Sequence, residues 1–148
     1  MKKIIIAATL LALSFSISAC SLTDKGSLKK ITEGKEFNAW EMDLAEKLES
    51  YGLEDDEKEK LQKIDEECDD IKDNDYKTQL LTAKKLVKLS SQIESRLEDS
   101  AKDLVEKLGK TDVPYASEDD KKKISEYSET VSDMIKKHDF SNYKDISE

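Results

Sequence analysis

The sequence predicts an all-α protein, a compact bundle of three to four antiparallel helices. Four glycines and one proline in 148 residues leave few helix breakers, and charged residues make up 40% of the chain. This composition favours helices. Apolar residues also recur every three or four positions, which is the period of an α-helix. Alternating apolar and polar runs, which strands would require, are too short to predict a sheet.

The first segment, residues 1–19, is typical of a bacterial export signal. Lys2 and Lys3 precede an almost unbroken apolar run over residues 4–19, and small residues close it. The run is shorter than the roughly 20 residues of a membrane-spanning helix. We therefore favour a cleaved signal peptide over the alternative of an uncleaved membrane helix.

The run ends in four residues that resemble the lipobox of bacterial lipoproteins, an aliphatic residue, two small residues and a cysteine. These are Ile17, Ser18, Ala19 and Cys20. The resemblance implies that Cys20 receives a diacylglycerol and that signal peptidase cuts the Ala19–Cys20 bond. Two or three acyl chains would hold a domain durably at a membrane, because each buried methylene contributes about 0.8 kcal/mol. Ser21 replaces the Asp of many inner-membrane lipoproteins, which favours the outer membrane in a Gram-negative host.

Residues 20–35 are predicted to contain the lipidated cysteine and a flexible tether, since Gly26 and Gly34 lie among Ser, Thr and Lys. Leu28 and Ile31 leave open the alternative that the later part already belongs to a helix. The helical bundle itself is predicted over residues 36–138.

The first predicted helix spans residues 36–51 and ends before Gly52, a suitable residue for a helix C-terminus. Trp40, the one tryptophan, is interpreted as a core residue, with a platform for ligand stacking as the alternative. The apolar stripe consists of Phe37, Trp40, Leu44, Leu48 and Tyr51.

The second predicted helix spans residues 55–72, with Asp55 and Asp56 suited to its N-terminal cap. If Cys20 is lipidated, Cys68 has no partner for an internal disulfide. Neighbouring carboxylates should raise the pKa of its thiol, and we interpret it as a small buried apolar residue. The stripe consists of Leu61, Ile64, Cys68 and Ile71.

The third predicted segment, residues 75–108, would extend about 50 Å as one helix. Ser90 and Ser91 leave open a break into two helices, and the length keeps an extended coiled coil as an alternative fold. Gly109 is the predicted end, and Pro114 lies in the following loop.

A fourth helix is predicted from Ser117, which forms an approximate capping box with Asp120, to about His138. Its inward face consists of Ile124, Tyr127, Val131, Met134 and Ile135. The C-terminal tail, residues 139–148, contains Phe140 and Tyr143. These either pack back on the bundle or lead into further sequence.

The charge balance disfavours nucleic acid as a partner, because an acidic chain repels phosphates. The formal net charge is −9, and loss of Lys2 and Lys3 with the signal would make it −11. A basic partner remains possible, but solubility is the simpler explanation of the charge.

The sequence predicts no catalytic residue, no metal site and no cofactor. His138 is the one histidine, and we interpret it as a solvated residue at a helix C-terminus. Carboxylate pairs such as Glu66 and Asp70 are interpreted as a solvated acidic face. No glycine-rich phosphate loop occurs, and the acidic string at Asp73 and Asp75 lacks the central glycine of a calcium loop.

We therefore expect a non-enzymatic lipoprotein held outside the cytoplasm by Cys20, which acts as a binding or structural module of the cell envelope. Its partner, a protein or another envelope component, is not identified by the sequence. Candidate contacts, which would otherwise fill the core, are Leu81, Leu89, Phe140 and Tyr143. The alternative functions are a small envelope hydrolase that uses carboxylates and a lipoprotein that excludes phage or plasmids.

Overall fold

The computed structural model describes residues 25–111 and 113–147, which form six α-helices. They are α1 (Lys25–Ile31), α2 (Phe37–Glu49), α3 (Asp55–Asp69), α4 (Tyr76–Lys110), α5 (Glu118–Lys137) and α6 (Tyr143–Ser147). These described residues include no strand. The predicted all-α fold is confirmed.

The four longer helices, α2 to α5, lie where the apolar stripes predict them. The third segment is one continuous helix, and neither Ser90 nor Ser91 interrupts it. The predicted end at Gly109 is wrong, because α4 continues through Gly109 to Lys110. Gly109 does not adopt the positive φ of a glycine that terminates a helix.

The N-terminus of α3 is capped one residue earlier than predicted. Glu54, not Asp55 or Asp56, is the N-cap, and it forms a reciprocal capping box with Glu57. The backbone N–H of Glu54 donates to Glu57 Oε2 at 3.0 Å. Asp55 and Asp56 lie in the first turn, where their negative charges complement the helix dipole.

Side chains also cap α4 and α5. The predicted capping box of Ser117 and Asp120 forms at the start of α5. At α4, the Asp75 carboxylate accepts a hydrogen bond of 3.2 Å from the backbone N–H of Thr78. These bonds satisfy backbone donors that the first helical turn leaves without partners.

Helix α4 is the central helix of the described bundle, because all five other helices pack against it. Glu67 of α3 pairs with Lys85 of α4. Farther along α4, Arg96 pairs with Glu57 near the start of α3, so α3 and α4 are antiparallel. Helix α5 returns along the C-terminal half of α4.

The core follows α4 and narrows toward its C-terminal end. Buried residues of α4 recur from Gln79 to Ala101, whereas Leu104 and Val105 are only half-buried. Val131 is the one fully buried residue of α5. The core consists of Leu28, Phe37, Leu48, Tyr51, Leu53, Leu61, Ile64, Cys68, Leu80, Ala83, Leu86, Leu89, Ile93, Leu97, Ala101, Val131, Phe140 and Tyr143.

The structure corrects the predicted tether over part of its length. Within residues 20–35, the span Lys25–Ile31 is helical and packs on α4, with Leu28 buried. Leu28 and Ile31 share one face, and burying that face against α4 favours the helix over a flexible chain. Gly34, with φ +83°, then turns the chain into α2.

The C-terminal tail packs back on the bundle, which is one of the two predicted alternatives. The Phe140 side chain is fully buried. Its ring meets Tyr51 edge-on at 6.0 Å and Tyr143 edge-on at 6.4 Å, measured between ring centroids. Such aromatic pairs add stability beyond the burial of apolar area.

Candidate functional site

The predicted lipidation site lies outside the described residues, which begin at Lys25. This applies to the signal peptide and to the whole lipobox, Ile17, Ser18, Ala19 and Cys20. The first described element is α1, which is fixed at the N-terminal end of α4. There the Lys25 ammonium lies over the ring of Tyr76, 4.9 Å from its centroid.

A shallow cleft of about 600 Å³ opens between α1, the start of α2 and the loop before α4. Lys25, Lys29 and Lys35 line it together with Asp73. The Gln79 amide, which also lines it, donates to the Asp73 carbonyl at 3.2 Å. Because its charges have both signs and its amide is already bonded, the cleft does not select one class of ligand.

Glu41 of α2 is the most perturbed carboxyl group of the described residues. Its side chain is 4% exposed, and its Oε1 atom has no hydrogen-bond partner there. Burial, followed by Asp65 and Asp69 of α3, raises its pKa to about 7. Near neutral pH, Glu41 therefore exchanges between its protonated and its ionised form.

Sequence analysis missed Glu41, although a signal was present. Glu41 lies four residues after Phe37 and seven before Leu48, so it occupies the apolar stripe of α2. A carboxyl group in phase with buried positions is unusual enough to indicate a perturbed site.

Cys68 is a free, buried cysteine on α3, as predicted. Burial, followed by the charges of Glu41 and Asp65, raises the pKa of its thiol to about 12. A thiol in this environment is almost fully protonated at neutral pH and reacts slowly while it remains buried.

The two features considered for catalysis remain separate in the structure. His138 ends α5 with φ +50°, and its exposed ring places Nδ1 4.0 Å from Glu98 Oε2. Glu66 and Asp70 are both exposed, and Glu66 accepts a hydrogen bond of 3.0 Å from the Gln62 amide. These contacts agree with the interpretation of a helix end and a solvated acidic face.

Residues 25–111 and 113–147 contain no group of three or more His, Cys, Asp or Glu side chains that could hold a metal ion. Within the same ranges, no helix is both long and apolar enough to cross a membrane. The acidic string before α4 has a structural use, since Asp75 caps that helix.

Most of the predicted contact residues belong to the core. Leu89, Phe140 and Tyr143 are buried, whereas Leu81 is 41% exposed. The large exposed apolar side chains are Met42, Leu81, Val87, Tyr115 and Tyr127. They lie on α2, on α4, on α5 and in the loop before α5. Sequence analysis identified Leu81 among these exposed side chains, but its placement of Tyr127 on the inward face of the fourth helix is wrong.

No family model, curated protein or solved structure matches this chain.

Proposed function

We propose that this protein is a lipid-anchored, non-catalytic module of the bacterial cell envelope, attached to the membrane through Cys20. The observation that carries the proposal is the lipobox sequence at residues 17–20, which directly follows a charged start and an apolar run. Its role is to hold a protein or another envelope component near the bilayer.

The position of α1 supports a close arrangement of bundle and membrane. Lys25 follows Cys20 by five residues, which span roughly 17 Å at most when fully extended. The N-terminal end of α4 would then lie next to the bilayer. Helix α4 is about 50 Å long, so its far end can reach well beyond the headgroups.

The pairing of charged side chains on the helix surfaces supports the non-catalytic part of the proposal. The lysines and carboxylates along the helices form ion pairs at spacings of three and four residues, such as Glu59 with Lys63. The His138 ring lies beside Glu98 at 4.0 Å, and the Cys68 thiol is buried on α3. Such surfaces suit a soluble scaffold.

Metabolic labelling with an alkyne fatty acid tests the anchor. We expect the wild-type protein to take up the label and Cys20→Ala to lose it. Cys68→Ala is the matched control, because it removes the other cysteine and should keep the label. A wild-type protein that stays unlabelled would overturn the proposed anchor.

Crosslinking in cells tests the binding role. A partner held at the envelope should be enriched with the wild-type protein and reduced with Cys20→Ala, when both are expressed equally. Equal recovery from both proteins, or recovery from neither, would contradict a role that depends on the anchor.

A further inference from the structure

The contact between α2 and α3 contains a buried carboxyl group without an obvious counter-charge. Glu41 of α2 is 4% exposed, and its Oε1 atom has no hydrogen-bond partner among the described residues. The groups that face it from α3 are the carboxylates of Asp65 and Asp69 and the thiol of Cys68. A side-chain hydrogen bond with Asp65 contributes to the raised pKa of Glu41.

Two lysines of the neighbouring helices are engaged with other carboxylates. Lys47 of α2 contacts Glu94 of α4 at 3.4 Å, and Lys85 of α4 binds Glu67 of α3 at 2.6 Å. The charges that raise the pKa of Glu41 are those of Asp65 and Asp69, and both lie on α3. An ionised Glu41 would therefore be a buried charge beside two exposed carboxylates, and both burial and like charge disfavour its ionised form.

We propose that Glu41 and Asp65 form a proton-operated latch between α2 and α3. With a proton on Glu41, its carboxyl O–H donates to the Asp65 carboxylate, so the two helices share one negative charge. When water removes that proton, two carboxylates face each other with Asp69 nearby. The carboxylates then separate, water enters the contact, and this part of the interface opens.

The pH range follows from the direction of the shift. The pKa of Glu41 is about 7 in the folded protein and 4.5 in its ordinary state. Between these values the folded state binds more protons than the unfolded chain, so folding stability falls as pH rises through this range. The loss continues as pH rises through the folded pKa of about 7, and it levels off only where Glu41 is ionised in both the folded and the unfolded state.

Thermal unfolding of the purified protein across this range tests the latch. We expect the wild-type Tm to fall by several degrees between about pH 5 and about pH 8. Glu41→Gln should have a nearly flat Tm over the same range, because its amide donates to Asp65 at every pH. The pH slope is the readout, so a uniform change in the stability of the variant does not affect the conclusion.

Glu46→Gln is the matched control, since it removes one exposed carboxylate from the same helix and should keep the wild-type slope. Asp65→Asn removes the negative charge that faces Glu41 and keeps the Glu41 side chain itself. It should reduce the slope of Tm against pH. Equal slopes in the wild type and Glu41→Gln would overturn the latch. A Tm above pH 7 that rises on addition of calcium would also overturn it, because the carboxylates would then form a cation site.

The thiol of Cys68 provides a local measurement of opening. In a Cys20→Ser background, an aromatic disulfide reagent should label Cys68 at the same rate in the wild type and Glu41→Gln at about pH 5.5. At about pH 8 the wild-type rate should be several-fold higher than the rate of Glu41→Gln. Matching rates at both pH values would contradict opening of this interface.

Discussion

At the scale of single residues, the charged groups differ greatly in how far they are buried. Arg96 of α4 forms a two-fold hydrogen bond with Glu57 of α3, with Nε–Oε1 at 2.7 Å and Nη2–Oε2 at 2.6 Å. The Arg96 side chain is 26% exposed and the Glu57 side chain is 9% exposed. By contrast, Lys63 and Glu59 are 66% and 68% exposed along α3. Partial burial strengthens the first pair, whereas water screens the second.

Arg96→Met should destabilise the fold by about 2 kcal/mol at neutral pH, because it leaves the buried carboxylate of Glu57 without its cation. Urea unfolding measures the loss. Burial alone would raise the pKa of Glu57, but hydrogen bonds from Arg96 and the Glu54 N–H outweigh it, and the pKa is lowered. Because the pKa of Glu57 is lower in the folded than in the unfolded protein, its contribution to stability is present above the unfolded pKa. It is lost as pH falls through the folded pKa. The difference in free energy of unfolding between Arg96→Met and the wild type should therefore become smaller in acid.

Lys63→Met serves as the comparison for Arg96→Met. Its ion pair with Glu59 is exposed, so its free energy of unfolding should change by less than about 0.5 kcal/mol. If the two variants lost equal stability, the distinction between buried and exposed pairs in this bundle would be wrong.

At the scale of helices, local signals determine where each element begins and where the chain turns. Gly52, with φ +70°, turns the chain after α2, and a Cβ atom there would meet the Lys144 side chain at 3.1 Å. Gly109 lies inside α4 with open space around its Cβ position. The same residue type therefore serves a turn in one place and weakens a helix in the other.

Gly109→Ala should stabilise the protein by roughly 0.5–1 kcal/mol, because alanine has the higher helix propensity and loses less backbone entropy on folding. Thermal unfolding would show this as a higher Tm. Gly52→Ala should lower the Tm, since its backbone conformation is strained for any other residue. A lower Tm for Gly109→Ala than for Gly52→Ala would contradict the assigned helix boundaries.

The C-terminal element is held by one aromatic cluster. Phe140→Ala should cost about 3–5 kcal/mol, because it empties a fully buried site between Tyr51 and Tyr143. Met42→Ala, at a side chain that is 67% exposed, should be nearly neutral. Unfolding in urea checks both, and a small loss for Phe140→Ala would contradict the packing of the tail.

At the scale of the whole molecule, the sequence predicted the four long helices, because each contains enough turns for its apolar stripe to be recognised. It offered α1 only as an alternative to a flexible tether and did not predict α6, and these helices have seven and five residues. Short segments show little periodicity, and they are helical here because Leu28 and Tyr143 are buried against the bundle. The perturbed state of Glu41 also depends on α3, which is distant in sequence, so periodicity alone could not define it.

The mature N-terminus tests the proposed anchor most directly. Mass spectrometry of the N-terminal peptide from the membrane-bound protein should find a chain that begins at Cys20, without residues 1–19 and with the mass of a diacylglyceryl group on the thiol. The same peptide from Cys20→Ala should carry no lipid. A wild-type chain that retains Met1, or that carries an unmodified Cys20 thiol, would contradict the account of a lipid-anchored envelope protein.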